Sequence, residues 1–134
     1  MPPEIHPHRP LVRTFVACQQ VERVGHQITL VGLLEKVRAL SDRGHIGVTL
    51  YASLTSGQGR HRIQLEYVHF DKTGEEISRR IVRQSIIDMG NDPLEVRGLP
   101  MKVVIPLFGA GWIEIHLFLD GQPVPAGTLT LSVR

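Results

Sequence analysis

Histidine and glutamate recur at positions from which they could share a metal ion. Glu114 and His116 lie two residues apart in an alternating run, and residues two apart on a strand project from the same face. A third ligand would have to come from a neighbouring strand, for which His69 and Glu66 are the candidates. The sequence alone does not establish that pairing. A metal centre of Glu114, His116 and His69 is therefore the weaker interpretation, and surface histidines without a common ligand are the one we favour.

Other patterns that would support catalysis do not occur in the sequence. No serine lies in a Gly-x-Ser-x-Gly context, and the single cysteine, Cys18, lies in a strand-like run typical of a buried thiol. Two Gly-x-Gly fragments, Gly57–Gly59 and Gly109–Gly111, lead into strand patterns, whereas a phosphate cradle requires a helix N-terminus. We predict turns at both fragments, no catalytic residue and no cofactor. An enzyme with a His/Glu metal centre ranks third among the functions considered.

Alternation of apolar and polar residues with a period of two predicts β-strands with one buried face along most of the chain. Turn residues separate these segments, notably at Asp71–Gly74 and at Asp120-Gly121. The segments themselves are Thr14–Gln20, Ile28–Leu34, Gly47–Leu54, His61–Phe70, Val103–Leu107, Trp112–Leu119 and Thr128–Val133.

Evidence for helices is confined to two segments. Glu35–Asp42 could hold one short helical turn. Ser78–Met89 has apolar residues at nearly helical spacing, but its β-branched residues favour a strand equally well. We favour a strand over Glu76–Val82 that pairs back across the Asp71–Gly74 turn.

Seven to nine short strands predict an all-β chain, folded as an antiparallel β-sandwich of two sheets with at most one short helix. The length of 134 residues fits one domain. Four prolines among the first ten residues predict a flexible leader over residues 1–12. Residues 13–134 then form the sandwich.

Charge and hydropathy exclude several classes of partner. Fifteen Lys and Arg against thirteen Asp and Glu give a net charge of +2, and the densest basic group is only Arg79, Arg80 and Arg83. Nucleic-acid binding usually needs more cations on one face, so we expect no nucleic-acid partner. No apolar run approaches the ~20 residues of a membrane span. The N-terminus lacks the apolar segment of a secretory signal, and we expect a cytoplasmic protein.

Several fragments together resemble an uncharacterised bacterial family of small immunoglobulin-like β-sandwich domains. The first is Cys18–Val21 followed by Ile28–Leu34, the second runs from Val48 to Gly74, and the third joins Phe108–Trp112 to Ile113–Leu119. The resemblance extends from about Thr14 to Val133 and implies an immunoglobulin-like fold. The family has no established activity, so the resemblance implies no catalytic residue.

Large apolar residues occupy both faces of the predicted strand Trp112–Leu119. Its odd-numbered residues suit the core, yet Trp112 and Phe118 lie on the other face, where an apolar surface requires a cover. Val68 and Phe70 present the same conflict within His61–Phe70. The cover could be a segment of the same chain, such as the leader or Ile86–Pro100, or a second molecule.

These observations predict a non-catalytic interaction module. We expect it to self-associate, or to bind another protein, through a face formed by Trp112, Phe118, Phe70 and Val68. The alternative is a small-ligand or carbohydrate-binding sandwich in which Trp112 and Tyr51 form an aromatic platform.

Overall fold

The computed structural model describes residues 9–38 and 44–134, and their regular structure is entirely β. Nine strands form a four-stranded sheet in the order β2-β1-β4-β7 and a five-stranded sheet in the order β3-β9-β8-β5-β6. The prediction of an all-β chain with two sheets is confirmed. The strands are β1 (Leu11–Val24), β2 (Gln27–Leu33), β3 (Lys36–Val37), β4 (Gly44–Thr55), β5 (Arg60–Asp71), β6 (Glu76–Asp88), β7 (Arg97–Leu107), β8 (Gly111–Leu119) and β9 (Gln122–Val133).

The core lies between the two sheets and is built from the alternate residues that the period-two pattern selects. Tyr67 is fully buried there among aliphatic side chains. Buried core residues include Leu50, Ala52, Ile63, Leu65, Met101, Val103, Ile105, Ile113, Ile115, Leu117 and Leu131. Residues of opposite parity on the same strands therefore lie on the outer faces of the two sheets.

Strand β3 differs from the short helical turn expected over Glu35–Asp42. Lys36 and Val37 pair with Ser132 and Val133 in the parallel direction, whereas every other strand pairing of the described residues is antiparallel. Burial of Val37 against the core favours this extended conformation. The remainder of that segment, residues 39–43, lies outside the described residues.

The segment Ser78–Met89 forms a strand up to Asp88, and the pairing predicted across Asp71–Gly74 is confirmed. Strand β6 continues beyond Val82, where the expected strand ended. Asp71 Oδ1 closes the turn by accepting hydrogen bonds from Thr73 N at 2.8 Å, Thr73 Oγ1 at 2.6 Å and Glu75 N at 3.1 Å. These bonds to the carboxylate lower the pKa of Asp71.

The first strand begins inside the segment assigned to the flexible leader. Leu11 and Val12 pair with Thr55 and Leu54 and so belong to the sheet. Residues 1–8 of the predicted leader lie outside the described residues. No helix in the described part of the chain has the length and apolar character needed to cross a membrane.

The hairpin formed by the second half of β1 and by β2 folds over the outer face of the four-stranded sheet. Near its tip, the Ile28 side chain borders the position that a Cβ atom would take at Gly98. The Tyr51 side chain borders the same position. Thr49 and Tyr51 point away from the core, because their neighbours Val48, Leu50 and Ala52 fill it, yet both are buried. The hairpin accounts for their burial.

Candidate interaction face

The outer face of the five-stranded sheet carries the aromatic residues that the sequence singled out. Trp112 on β8 lies opposite Phe70 on β5, and their rings stack with centroids 5.8 Å apart and an interplanar angle of 26°. Both side chains are partly exposed. The β5–β6 turn borders the indole, since a Cβ atom at Gly74 would lie 3.7 Å from it.

Phe118 lies on the same face near the other end of β8. It pairs with Gln64 on β5 and with Pro123 on β9, and it is partly exposed. Along β8 the outer face thus presents aromatic rings at both ends, with Glu114 and His116 between them.

Val68 also lies on this side of the sheet, but it is fully buried, whereas we expected it to form part of the contact surface. In the sheet it lies between Glu114 on β8 and Arg79 on β6. The Arg79 guanidinium forms ion pairs with Glu66 and, at 2.6 Å, with Glu76. Val68 therefore lies beneath the exposed side chains of this face and is not accessible to a partner.

Two exposed isoleucines on the edge strand extend the face, and the sequence analysis did not include them. Ile81 pairs with Glu66 and is 49% exposed, and Ile86 pairs with Arg62 and is 56% exposed. Both lie on the outer side because their partners do. The β-branched residues of β6 indicated a strand, but the apolar spacing fitted a helix equally well. The sequence therefore did not show that these two residues share a face.

The proposed metal ligands come together only in part. Glu66 lies opposite His116 on the outer face, but its carboxylate is ion-paired with Arg79. Glu114 and His116 share the outer face, where His116 Nδ1 lies 3.1 Å from Thr128 Oγ1. His69 pairs with Ile113 and points into the sandwich, because Ile113 is a core residue. Within residues 9–38 and 44–134, no group of three His, Cys, Asp or Glu side chains is placed to hold a metal ion.

His69 is instead part of a buried polar cluster between the sheets. Tyr67 Oη donates a hydrogen bond to the carbonyl oxygen of Pro106 at 2.6 Å and lies 3.1 Å from His69 Nδ1. The backbone N–H of Phe108 also faces Nδ1, at 3.4 Å. His69 Nε2 is buried and has no hydrogen-bond partner among the described residues.

Burial governs the protonation of both rings in this cluster. It lowers the pKa of His69, although a backbone hydrogen bond with Gly109 and the charge of Asp71 act in the opposite direction. It raises the pKa of Tyr67 to about 12, against the influence of the Arg80 charge. The neutral forms of both groups are the ones that fit this interior.

His61 and Asp120 form a part-buried pair that joins β5 to the turn between β8 and β9. His61 Nδ1 lies 2.7 Å from Asp120 Oδ2, and His61 Nε2 lies 2.6 Å from the Gln58 carbonyl oxygen. Both ring nitrogens thus face oxygen atoms of the chain itself. Partial burial acts to raise the pKa of Asp120, but hydrogen bonds from His61 and the Arg62 N–H outweigh it and lower the pKa.

The remaining candidates have local structural roles. Cys18 is buried, and burial raises the pKa of its thiol. Both Gly-x-Gly fragments precede strands, with positive φ angles at Gly59 and Gly109. Tyr51 and Trp112 lie on the outer faces of different sheets and therefore cannot form one aromatic platform.

Comparison with known proteins does not assign the chain to a family. No family model matches it. No curated protein matches it. Among solved structures, the chain is similar to the alkylpurine DNA glycosylase AlkC of Pseudomonas fluorescens, bound to DNA containing an abasic site analog, with 10% identity and a TM-score of 0.43. The match covers 72% of this chain and 31% of that one, so this chain spans about a third of the length of the glycosylase. A similarity at this level establishes neither a common fold nor a common function.

Proposed function

We propose that this protein is a non-catalytic, immunoglobulin-like β-sandwich module that self-associates through the outer face of its five-stranded sheet. The observation that carries the proposal is the partly exposed stack of Phe70 and Trp112, on the same face as Phe118. Exposed Ile81 and Ile86 widen the apolar area on the same side. Aromatic side chains flanked by aliphatic ones are typical anchors of protein interfaces.

The charges on this face favour a second copy over a strongly charged partner. Arg79 is neutralised within the chain by Glu66 and Glu76, and its hydrogen bond lowers the pKa of Glu76. Arg62 and Glu114 also lie on this outer face, so it carries charges of both signs beside its apolar residues. Such a surface can meet itself across a two-fold axis without bringing a large excess of one charge together.

The test is the absolute mass of the full chain in solution, measured by light scattering after size-exclusion chromatography over a range of concentrations. We expect a dimer that becomes monomeric in the double variant Trp112→Ala, Phe118→Ala. The matched control is Leu94→Ala, Val104→Ala, which removes two exposed apolar side chains outside this face and should leave the mass unchanged. A monomer at every concentration, or a dimer that survives loss of both aromatics, would refute the proposal.

A further inference from the structure

A groove on the outer face of the four-stranded sheet takes no part in the interaction face. It has a volume of about 760 Å³ and lies between the β1–β2 hairpin and the strands β4 and β7. Thr49 and Lys102 lie opposite each other in the β4–β7 ladder and point away from the core, so they form its floor. Gln19, Gln20 and Val21 of the hairpin form its wall.

Two cations from different sheets converge on this groove. Arg83 belongs to β6 of the five-stranded sheet, but its Nη1 reaches across the seam and donates to the Lys102 carbonyl oxygen at 3.4 Å. The side chains of Arg83 and Lys102 both line the groove. No acidic side chain of the described residues lines it, and Glu22 of the hairpin accepts a hydrogen bond from Gln20 at 3.3 Å. A concave surface that carries two cations attracts an anion more strongly than either cation does alone.

An apolar shelf continues the groove along the same two strands. It has a volume of about 320 Å³ and shares Thr49 and Lys102 with the groove. Its outer side is formed by Gly47 and Val104, which pair with each other. Val104 is 63% exposed, and no atom lies within 4 Å of the position that a Cβ would take at Gly47. The shelf therefore offers room beside an apolar wall.

We propose that the groove and shelf bind a phosphate monoester that carries an apolar group. The phosphate lies between Arg83 and Lys102, whose two positive charges match the roughly −1.5 to −2 charge of a monoester at neutral pH. The fork of the Arg83 guanidinium suits two phosphate oxygens, and Lys102 supplies a point charge. The Thr49 hydroxyl lies on the floor between them and the shelf, where the apolar group contacts Val104.

The test uses phenyl phosphate as the probe and amide NMR spectra of the full ¹⁵N-labelled chain as the readout. We expect saturable shifts at Thr49, Lys102 and Val104. Arg83→Gln and Lys102→Gln should each weaken binding about tenfold, while Lys102→Arg should retain most of it. The matched control is Arg80→Gln, on the same strand but outside the groove, which should change the affinity less than about twofold. The same spectra show whether each variant is folded.

Gly47→Val tests the apolar part separately. A valine at Gly47 places apolar bulk in the shelf from a Cβ position that meets no atom within 4 Å, so it should weaken phenyl phosphate binding about fivefold and leave inorganic phosphate binding unchanged. Phenyl phosphate that causes no saturable shift at about 10 mM would overturn the proposal. An equal loss in Arg80→Gln would also overturn it, as would Gly47→Val without effect. The groove lies on the outer face of the four-stranded sheet and receives only Arg83 from the other sheet, so binding in the variant that lacks Trp112 and Phe118 keeps the two proposals distinguishable.

Discussion

Gly111 lies directly against the carbonyl oxygen of Phe70, at the start of the strand that carries Trp112. Its φ is +150°, and a Cβ atom at this position would overlap that oxygen. Only glycine fits both the dihedral angle and the space. The closeness of the two backbones sets the register in which Trp112 stacks on Phe70.

Gly111→Ala should therefore destabilise the protein by about 3 kcal/mol, because the new methyl group must displace backbone atoms. Chemical denaturation followed by far-UV circular dichroism measures the loss. Gly47→Ala is the matched control, since the added methyl group meets no atom and the strand loses a flexible residue. It should leave stability unchanged or raise it by up to about 1 kcal/mol. Similar losses in the two variants would contradict this account.

The buried cluster around His69 predicts a loss of stability in mild acid. The pKa of His69 is lowered in the folded state from its ordinary value of 6.5, so the unfolded chain binds a proton first as the pH falls. The contribution of the neutral ring is complete above pH 6.5 and diminishes as the pH falls below that value. We expect the free energy of unfolding to decrease between pH 7.5 and pH 5.

The measurement is a series of denaturant titrations across that pH range. His69→Gln should flatten the dependence on pH, whatever its effect on the absolute stability. His26→Gln, which changes an exposed histidine at the hairpin tip, should retain the wild-type slope. A slope that persists in His69→Gln would show that other groups produce it.

Tyr67→Phe removes the hydroxyl that satisfies the Pro106 carbonyl inside the sandwich. Loss of the donor leaves a buried acceptor without its partner, so we expect a destabilisation of about 2 kcal/mol. Tyr51→Phe is the control for removing a tyrosine hydroxyl elsewhere. In alkali, the raised pKa of Tyr67 makes the unfolded chain ionise first, so stability should fall as the pH rises above 10 towards 12. Ultraviolet absorbance of tyrosinate in Tyr51→Phe follows Tyr67 alone.

The His61–Asp120 pair predicts a contribution to stability. His61→Ala removes the imidazole that contacts the Asp120 carboxylate and the Gln58 carbonyl oxygen and should cost about 2 kcal/mol. His26→Ala, at an exposed position, should change stability by less than about 0.5 kcal/mol. Thermal unfolding of both variants at pH 7 makes the comparison. An unaltered melting temperature in His61→Ala would mean that the pair does not join β5 to the β8–β9 turn.

Period-two alternation predicted most strands because one face of each is buried, and the outer positions of Trp112 and Phe118 followed directly. The same reasoning failed for β6. Its ladder contains a bulge, since Leu65 pairs with Arg83 and Glu66 with Ile81, which leaves Val82 as an extra residue. A bulge changes the parity of every residue beyond it. The apolar spacing of Ser78–Met89 therefore imitated a helix and concealed the exposure of Ile81 and Ile86.

Contacts between the sheets could not be predicted, because they depend on residues far apart in the chain. The alternation in β5 marks Tyr67 and His69 as inward positions, but the hydrogen bond from Tyr67 Oη to the Pro106 carbonyl oxygen on β7 depends on how the two sheets align. The groove depends on the hairpin folding back over β4 and on Arg83 crossing the seam. Neither event has a local signal in the sequence.

The inward direction of Arg80 and Arg83 disfavours association of two copies through the edge strand β6. Both pair with core residues of β5, Tyr67 and Leu65, so their long cationic side chains lie on the side of the edge strand β6 that faces the other sheet. An added strand there would trap guanidinium groups away from water. Assembly by pairing of edge strands would carry this desolvation cost for every copy added. Association through the outer faces would instead end at two copies. This arrangement favours a closed pair over a fibre.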